Sequence, residues 1–210
     1  MKKGKFITFE GGEGSGKSTQ IDVLLAKLKN KGIDVLKTRE PGGTYVGEKI
    51  RELLVSGGKN DLTPLSELFL NSSSRKEHIE KLIKPSLDVG KWVLCDRFTD
   101  STLVYQGYAH GLDLEVIRNL NKLTVGEYIP DLTFILDLSP EIGLKRAKKR
   151  NNNENRYEQM DISFHYKIRE SFLKIANTDE KKYKIINANL NKNEISEDIF
   201  KIVLNKFFIN

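Results

Sequence analysis

The segment Gly11-Gly12-Glu13-Gly14-Ser15-Gly16-Lys17-Ser18 matches the pattern G-x-x-x-x-G-K-[ST] and constrains this chain more than any other stretch. Glycines let the backbone curl tightly and turn successive N–H groups inward around phosphate oxygens. Such a loop works only between a buried strand and the start of a helix. Here the apolar run Phe6-Ile7-Thr8-Phe9 precedes it, ending in Glu10. Ile21, Leu24, Leu25 and Leu28 follow at the spacing of an amphipathic helix, closed by Gly32. The helix from Lys17 adds its positive dipole end to the cradle. Gly11, Gly12, Glu13, Gly14, Ser15, Gly16, Lys17, Ser18 and Thr19 are therefore expected to hold ATP. Lys17 should bridge the β- and γ-phosphates and the Ser18 hydroxyl should reach Mg2+.

Four more apolar runs, Ile33–Leu36, Trp92–Cys95, Leu132–Leu136 and Lys184–Ile186, read as strands. Helical patterning covers Val46–Val55, Pro64–Ile83, Pro140–Lys149, Ser163–Ile175 and Ile195–Val203. Strands alternating with helices predict an α/β fold: a three-layer α/β/α P-loop domain with a five-stranded parallel sheet. The 210 residues fit a single domain over 1–210. A hydrophobic share of 38% with 30% charged residues suits a folded protein, and no apolar run is long enough to span a bilayer. Met1-Lys2-Lys3 is followed by too short an apolar run for an export signal. Cys95 stands alone and cannot form an internal disulfide, so a reducing, cytoplasmic setting is expected. The net charge of +6 would attract nucleic acid or anionic nucleotides, but reads first as solvated helix faces. One cluster stands apart: Lys145, Arg146, Lys148, Lys149 and Arg150, followed by the apolar-free stretch Asn151–Asn155, a candidate mobile loop.

A P-loop alone does not separate kinases from GTPases, motor ATPases or partitioning proteins. Asp96-Arg97 ends the third strand, at the edge where parallel sheets bind ligands. The carboxylate of Asp96 suits Mg2+ or its water shell, and Arg97 offers a rigid fork for a second phosphate. The histidines, His78, His110 and His165, are scattered without ligand spacing and receive no metal or proton-transfer role.

The P-loop with Arg39-Glu40-Pro41-Gly42-Gly43, Ser74-Arg75, Asp96-Arg97-Phe98 and Tyr105-Gln106-Gly107 resembles the thymidylate kinase family, in order and spacing, over nearly the whole chain. The resemblance implies Mg2+-dependent transfer of the ATP γ-phosphoryl group to dTMP, giving dTDP and ADP for dTTP synthesis. It also implies a homodimer, with no nucleic-acid or membrane partner. By position, Arg39 and Arg97 match arginines that hold the dTMP phosphate, and Glu13 matches the acid that bonds the deoxyribose 3′-hydroxyl. Arg75 matches the arginine at the thymine edge, and Thr102 a small hydroxyl residue near the pyrimidine. Tyr105 and Gln106 match residues beside sugar and base, with the tyrosine ring crowding the 2′ position. Asn71 departs from the pattern: many relatives carry there a phenylalanine that stacks on the base. Either Arg75 and Gln106 supply most of the base discrimination, or the helix is offset and Phe69 covers the base.

Some thymidylate kinases carry a transition-state arginine in the P-loop, where this chain has Gly14. Bacterial-type members place it in a lid, which Arg146–Glu158 resembles, with Arg150 and Arg156 as the catalytic candidates beside Lys17 and Arg97. Arg146 matches a position near the adenine. No general base is required, since the acceptor phosphate oxygen is already a nucleophile. Two other functions fit a P-loop: a kinase for another nucleoside monophosphate, and a nucleotide-switched binding module. Arg39, Arg97 and Tyr105-Gln106 have no evident use in the second.

Overall fold

Residues 4–150 and 156–208 are described by the computed structural model, excepting the Arg150 side chain. Five strands, β1 (Phe6–Glu10), β2 (Val35–Arg39), β3 (Trp92–Asp96), β4 (Leu132–Asp137) and β5 (Tyr183–Asn187), form one all-parallel sheet in the order β2-β3-β1-β4-β5. Alternation along these strands divides the core between two faces. Ile7, Phe9, Leu94, Leu132, Phe134 and Leu136 point to one face, where α1 (Lys17–Asn30) and α9 (Lys192–Phe207) cover them with Ile21, Leu24, Leu28, Ile195, Ile199 and Val203. Phe6, Val93 and Cys95 point to the other, against Ile79, Ile83, Leu87 and Val125. Ile135 and Tyr183 share that second face with Ile168 and Phe172 of α8 (Ile162–Ala176). The three-layer arrangement follows from this two-sided burial.

The remaining helices are α2 (Tyr45–Val55), α3 (Pro64–His78), α4 (Lys84–Asp88), α5 (Thr99–Thr102), α6 (Leu114–Val125) and α7 (Pro140–Ala147). The sequence reading misplaces several boundaries. β2 begins at Val35 and runs to Arg39, because its last residues pair with β3, Arg39 opposite Asp96. The helix expected to end at Ile83 continues through a π-helical turn, Ile79–Ile83, into α4, which tolerates Pro85 in its first turn. α7 stops at Ala147 and gives way to a 3₁₀ turn, Lys148–Arg150. α5 and α6 were not anticipated. α5 runs directly into a π-helical segment, Leu103–Ala109, so that Tyr105 and Gln106 lie on a wound element rather than a loop. Asn151–Asn155 lies outside the described residues. Among those described, no helix is long and apolar enough to cross a membrane.

Candidate active site

The P-loop joins β1 to α1 with Gly11, Gly14 and Gly16 at positive φ, the conformation that favours glycine. Gly14 also faces a second constraint. A Cβ built there would lie 2.0 Å from the Gly143 carbonyl oxygen of α7, and one on Gly143 would lie 2.3 Å from the Glu13 carbonyl oxygen. This mutual approach packs the loop directly on α7 and leaves no space for a P-loop arginine at position 14. Lys17 is buried, and its Nζ donates to the Gly11 and Gly12 carbonyls at 3.0 Å each. Burial, then the nearby Arg97, pulls its ammonium down to about 8.

Ser18 and Asp96 meet as the sequence predicts: the Ser18 hydroxyl donates to Asp96 Oδ2 at 2.6 Å. β3 carries Asp96 to the edge where β1 ends, with Asp96 opposite Phe9. Among the described residues, no three His, Cys, Asp or Glu side chains surround a common point. One carboxylate and one hydroxyl beside a phosphate cradle suit Mg2+, which keeps several waters and takes other ligands from substrate phosphates.

Beyond Asp96 the chain turns sharply at Arg97, whose φ of 67° is the one positive value at a non-glycine among the described residues. Such a backbone costs roughly 1–3 kcal/mol and persists only where its surroundings hold it. Here Arg97 donates to the Gly11 carbonyl at 3.0 Å, to Ser101 Oγ at 3.2 Å and to Glu13 Oε1 at 2.7 Å. The Glu10 carboxyl fastens the turn from below, accepting from the Phe98 amide at 2.8 Å and the Ser101 hydroxyl at 2.6 Å. Burial, reinforced by Asp100, pushes Glu10 up to about 8. Glu13 behaves oppositely: burial alone would raise it, but Arg97 and then Lys17 outweigh that and hold it at about 2. The Tyr105 hydroxyl donates to the same Glu13 oxygen at 2.8 Å, and the Arg97 guanidinium lies 5.0 Å from the Tyr105 ring centre.

Next to this cluster opens a cleft of about 840 Å³ including its mouth, lined among others by Glu13, Asn71, Arg75, Arg97, Thr102, Tyr105 and Gln106. The sequence names all seven. Arg75 is 2% exposed, with its guanidinium anchored to Glu40 (2.7 Å), Asn121 (3.2 Å), the Phe98 carbonyl (3.1 Å) and Thr102 Oγ1 (2.9 Å). Four of its five N–H groups are thus engaged, leaving one on Nη1. Asn71 donates to the Glu67 carbonyl at 2.9 Å and sits on the cleft wall. Phe69 is 54% exposed and does not line the cleft, so the offset-helix alternative fails. Arg39 stands outside the cleft lining and pairs with Glu48 at 2.9 Å. Arg146 is exposed, with Nη1 3.5 Å from the Ala188 carbonyl at the start of the β5–α9 loop.

Arg156 requires a correction. Expected to face the transferring phosphoryl group, it is instead 1% exposed and engaged elsewhere through four of its five N–H groups. It donates to the carbonyls of Leu54 (3.2 Å), Gly58 (3.1 Å) and Lys59 (3.3 Å), and to the buried carboxylate of Glu67. It therefore pins its own segment to the end of α2, the start of α3 and the turn between them. The Arg150 side chain lies outside the described residues. Glu67, Glu40, Glu10 and Arg51 also belong to the site or its support, and the sequence reading missed them. Glu67 falls in the first turn of α3, where an acid reads as a complement to the helix dipole. His78, given no role, bonds Glu40 through Nδ1 at 2.9 Å and Thr38 through Nε2 at 2.7 Å, bracing the partner of Arg75.

A family model described as thymidylate kinase matches residues 9–199. The thymidylate kinase of Magnetococcus marinus is 47% identical over 208 residues, covering 99% of this chain and 99% of the relative. That of Sulfurihydrogenibium sp. is also 47% identical, over 196 residues, 93% of this chain and 95% of the relative. Among solved structures, thymidylate kinase from Ehrlichia chaffeensis superposes with a TM-score of 0.80 at 36% identity, over 96% of this chain and 99% of that one.

Proposed function

This chain belongs to the thymidylate kinase family, and on that premise we propose how its residues divide the transfer of a phosphoryl group from ATP to dTMP. The enzyme is a dTMP kinase: it uses ATP to phosphorylate dTMP to dTDP. In our reading the whole of 1–210 forms one kinase domain, with 146–158 as its lid. The P-loop amides, Lys17 and the dipole of α1 hold the donor phosphates. Ser18 and Asp96 would hold Mg2+, which when bound would supply positive charge against the donor phosphates. Arg97, stationed between loop and cleft, takes the dTMP phosphate, assisted by Arg39 once it leaves Glu48. Arg75 offers its remaining N–H to a thymine carbonyl, Gln106 and Asn71 face the base, and Thr102 holds Arg75 in place. Glu13 accepts from the 3′-hydroxyl, and the Tyr105 ring closes the space a 2′-hydroxyl would need. Arg146 borders the adenine. Arg150 is the lid cation that serves the transition state, and Arg156 anchors the lid.

The observation that carries this reading is the contact of Arg97 with Glu13: a residue of the acceptor wall grips a side chain of the donor loop at 2.7 Å. Two substrates bound on either side of that pair lie with their phosphates adjacent, as in-line transfer demands. The test is ADP release with and without dTMP, in Mg2+ and in EDTA. Release that depends on both dTMP and Mg2+ supports the assignment, while equal release without dTMP would make the chain a nucleotide hydrolase.

The homodimer has its own support. The adjacent helices α2, α3 and α6 expose Leu53, Phe69, Val116 and Leu123, side chains that another copy would cover. Sedimentation equilibrium tests it directly. A cytoplasmic location fits an enzyme acting on free nucleotides, with Cys95 kept reduced.

A further inference from the structure

Glu67 is fully buried, and both its oxygens are taken. Oε1 accepts from Arg156, while Oε2 accepts from the Tyr157 hydroxyl at 3.0 Å and from Gln106 Nε2 at 2.8 Å. As the ionised partner of a guanidinium, this carboxylate can only accept hydrogen bonds. The amide of Gln106 must therefore turn its NH2 group toward Glu67. With Nε2 held by Glu67 beside the Tyr157 hydroxyl, the carbonyl Oε1 is turned away from the carboxylate, and Gln106 lines the cleft.

We infer that Glu67 is a specificity-determining positioning residue: by fixing the amide of Gln106, it presents an acceptor to the base and selects thymine over cytosine. This rests on the reading of Gln106 as a base-facing residue. Thymine carries an N3–H donor that a carbonyl oxygen accepts, whereas cytosine has a lone pair at N3 and meets that oxygen unfavourably. A buried site built to pair one pattern rejects its complement strongly, because the mismatched groups stay unpaired. Asn71 likewise gives its NH2 to the Glu67 backbone carbonyl, but that anchor is main chain and is untouched by a change in the Glu67 side chain. Of these two amides, substitution of the carboxylate therefore acts on Gln106 alone. The same carboxylate also holds Arg156 and Tyr157.

Replacing Glu67 with Gln gives a specific expectation. The new carbonyl goes to Arg156, the stronger, charged donor. Its NH2 group then faces the NH2 of Gln106, two donors in contact, and the Gln106 amide flips to relieve this. The cleft would then present a donor, which suits cytosine N3 and opposes thymine N3–H. The experiment measures kcat/KM for dTMP and for dCMP in parent, Glu67→Gln, Gln106→Leu and the double variant. Their ratio within one preparation does not depend on the folded fraction. We expect the dTMP:dCMP ratio to fall about tenfold or more in Glu67→Gln, mostly through KM for dTMP, and to be the same in the double variant as in Gln106→Leu. If Gln106→Leu loses the ratio while Glu67→Gln keeps it, this inference is overturned and the base-reading role of Gln106 stands. If Gln106→Leu keeps the parent ratio, the role of Gln106 itself is wrong, and this inference goes with it. Should Glu67→Gln yield no active protein, the parent decides: NMR of the Gln106 side-chain NH2 is expected to show a proton protected from exchange, and an amide exchanging freely would overturn the inference.

Discussion

The Tyr105 hydroxyl and the Glu13 carboxylate lie 2.8 Å apart, joining a π-helical segment of the cleft wall to the phosphate loop. Arg97 holds the same Glu13 oxygen from the other side. Hydroxyl and ring of Tyr105 therefore do separable work. Tyr105→Phe removes a hydrogen bond that orients Glu13 and leaves the ring over the 2′ region. KM for dTMP should rise about tenfold with kcat nearly unchanged, as a hydrogen bond to a charged carboxylate is worth about 1.5–3 kcal/mol. Discrimination against a 2′-hydroxyl should survive in Tyr105→Phe and weaken in Tyr105→Ala. Steady-state kinetics with deoxy- and ribonucleotides check both, and equal discrimination in the alanine variant would remove the ring from the site.

The phosphate loop carries its own pH signature. In the role proposed for it, Lys17 serves the donor only when charged, and its ammonium is drawn from 10.5 down to about 8, first by burial and then by Arg97. The protonated form is full below that value and is lost as pH rises through it. Because kcat/KM reports groups of the free enzyme, kcat/KM for ATP should decline above pH of about 8. The limb in kcat should lie higher, since bound phosphates stabilise the ammonium. Lys17→Arg should move the limb out of range, and Lys17→Ala should lose at least about 10²-fold in turnover. A kcat/KM profile flat to the end of the accessible range would contradict this role for Lys17.

Much of this site was legible because its chemistry lies in short, ordered motifs. Gly11–Ser18 followed a strand and opened a helix, so the place of Lys17 and Ser18 at the start of α1 could be read before any coordinate. Asp96 ended an unbroken apolar strand, which fixed the sheet edge it would share with Ser18. What escaped notice was long-range. Glu67 looked like an ordinary acid of a first helical turn, and nothing local marks it as the buried partner of Arg156, 89 positions away. Arg156 misled for the matching reason: a basic residue near a lysine-rich stretch suggests solvent and phosphate, and only tertiary packing reveals the carboxylate and three carbonyls around it. Leu103–Ala109 was not foreseen as helical, since a π segment departs from the period that marks an α-helix.

Gly14 and Gly143 close the phosphate loop against α7 and exclude a side chain at position 14. A side chain at 14 meets the Gly143 carbonyl at 2.0 Å with its backbone at a φ of 66°. Gly14→Ala should therefore destabilise the fold by roughly 2–3 kcal/mol, through strain at positive φ and the displacement of α7. Thermal unfolding measures this, and an unchanged midpoint would show that loop and α7 part easily.

With position 14 closed to a side chain and Arg156 held by Glu67, the proposed lid role rests on Arg150. Arg150→Ala should lower kcat by about 10²-fold or more while dTMP affinity hardly moves, the mark of an interaction made only in the transition state. Arg156→Ala should instead lower thermal stability, because it leaves Glu67 buried and uncompensated. The reverse pattern would restore Arg156 to the chemistry and retire Arg150.

The cleft wall at Asn71 gives the last test. Its side chain faces the cleft but spends its NH2 on the Glu67 carbonyl one turn back, so it offers the base a small polar surface rather than an aromatic face. Phe69 cannot substitute, since it stands 54% exposed in the single chain and is absent from the cleft lining. A ring at position 71 would lie against the pyrimidine, and offset aromatic contacts contribute roughly 0.5–1.5 kcal/mol beyond buried area. Asn71→Phe should tighten dTMP binding a few-fold, up to about tenfold. Turnover should change much less, because stacking acts alike on ground and transition states. Phe69→Ala should leave dTMP affinity within about twofold of the parent, as expected for an exposed position away from the site. Equilibrium titration of both variants settles the matter: weaker binding in both would mean that Phe69 turns inward to cover the base and that a second ring at 71 obstructs it.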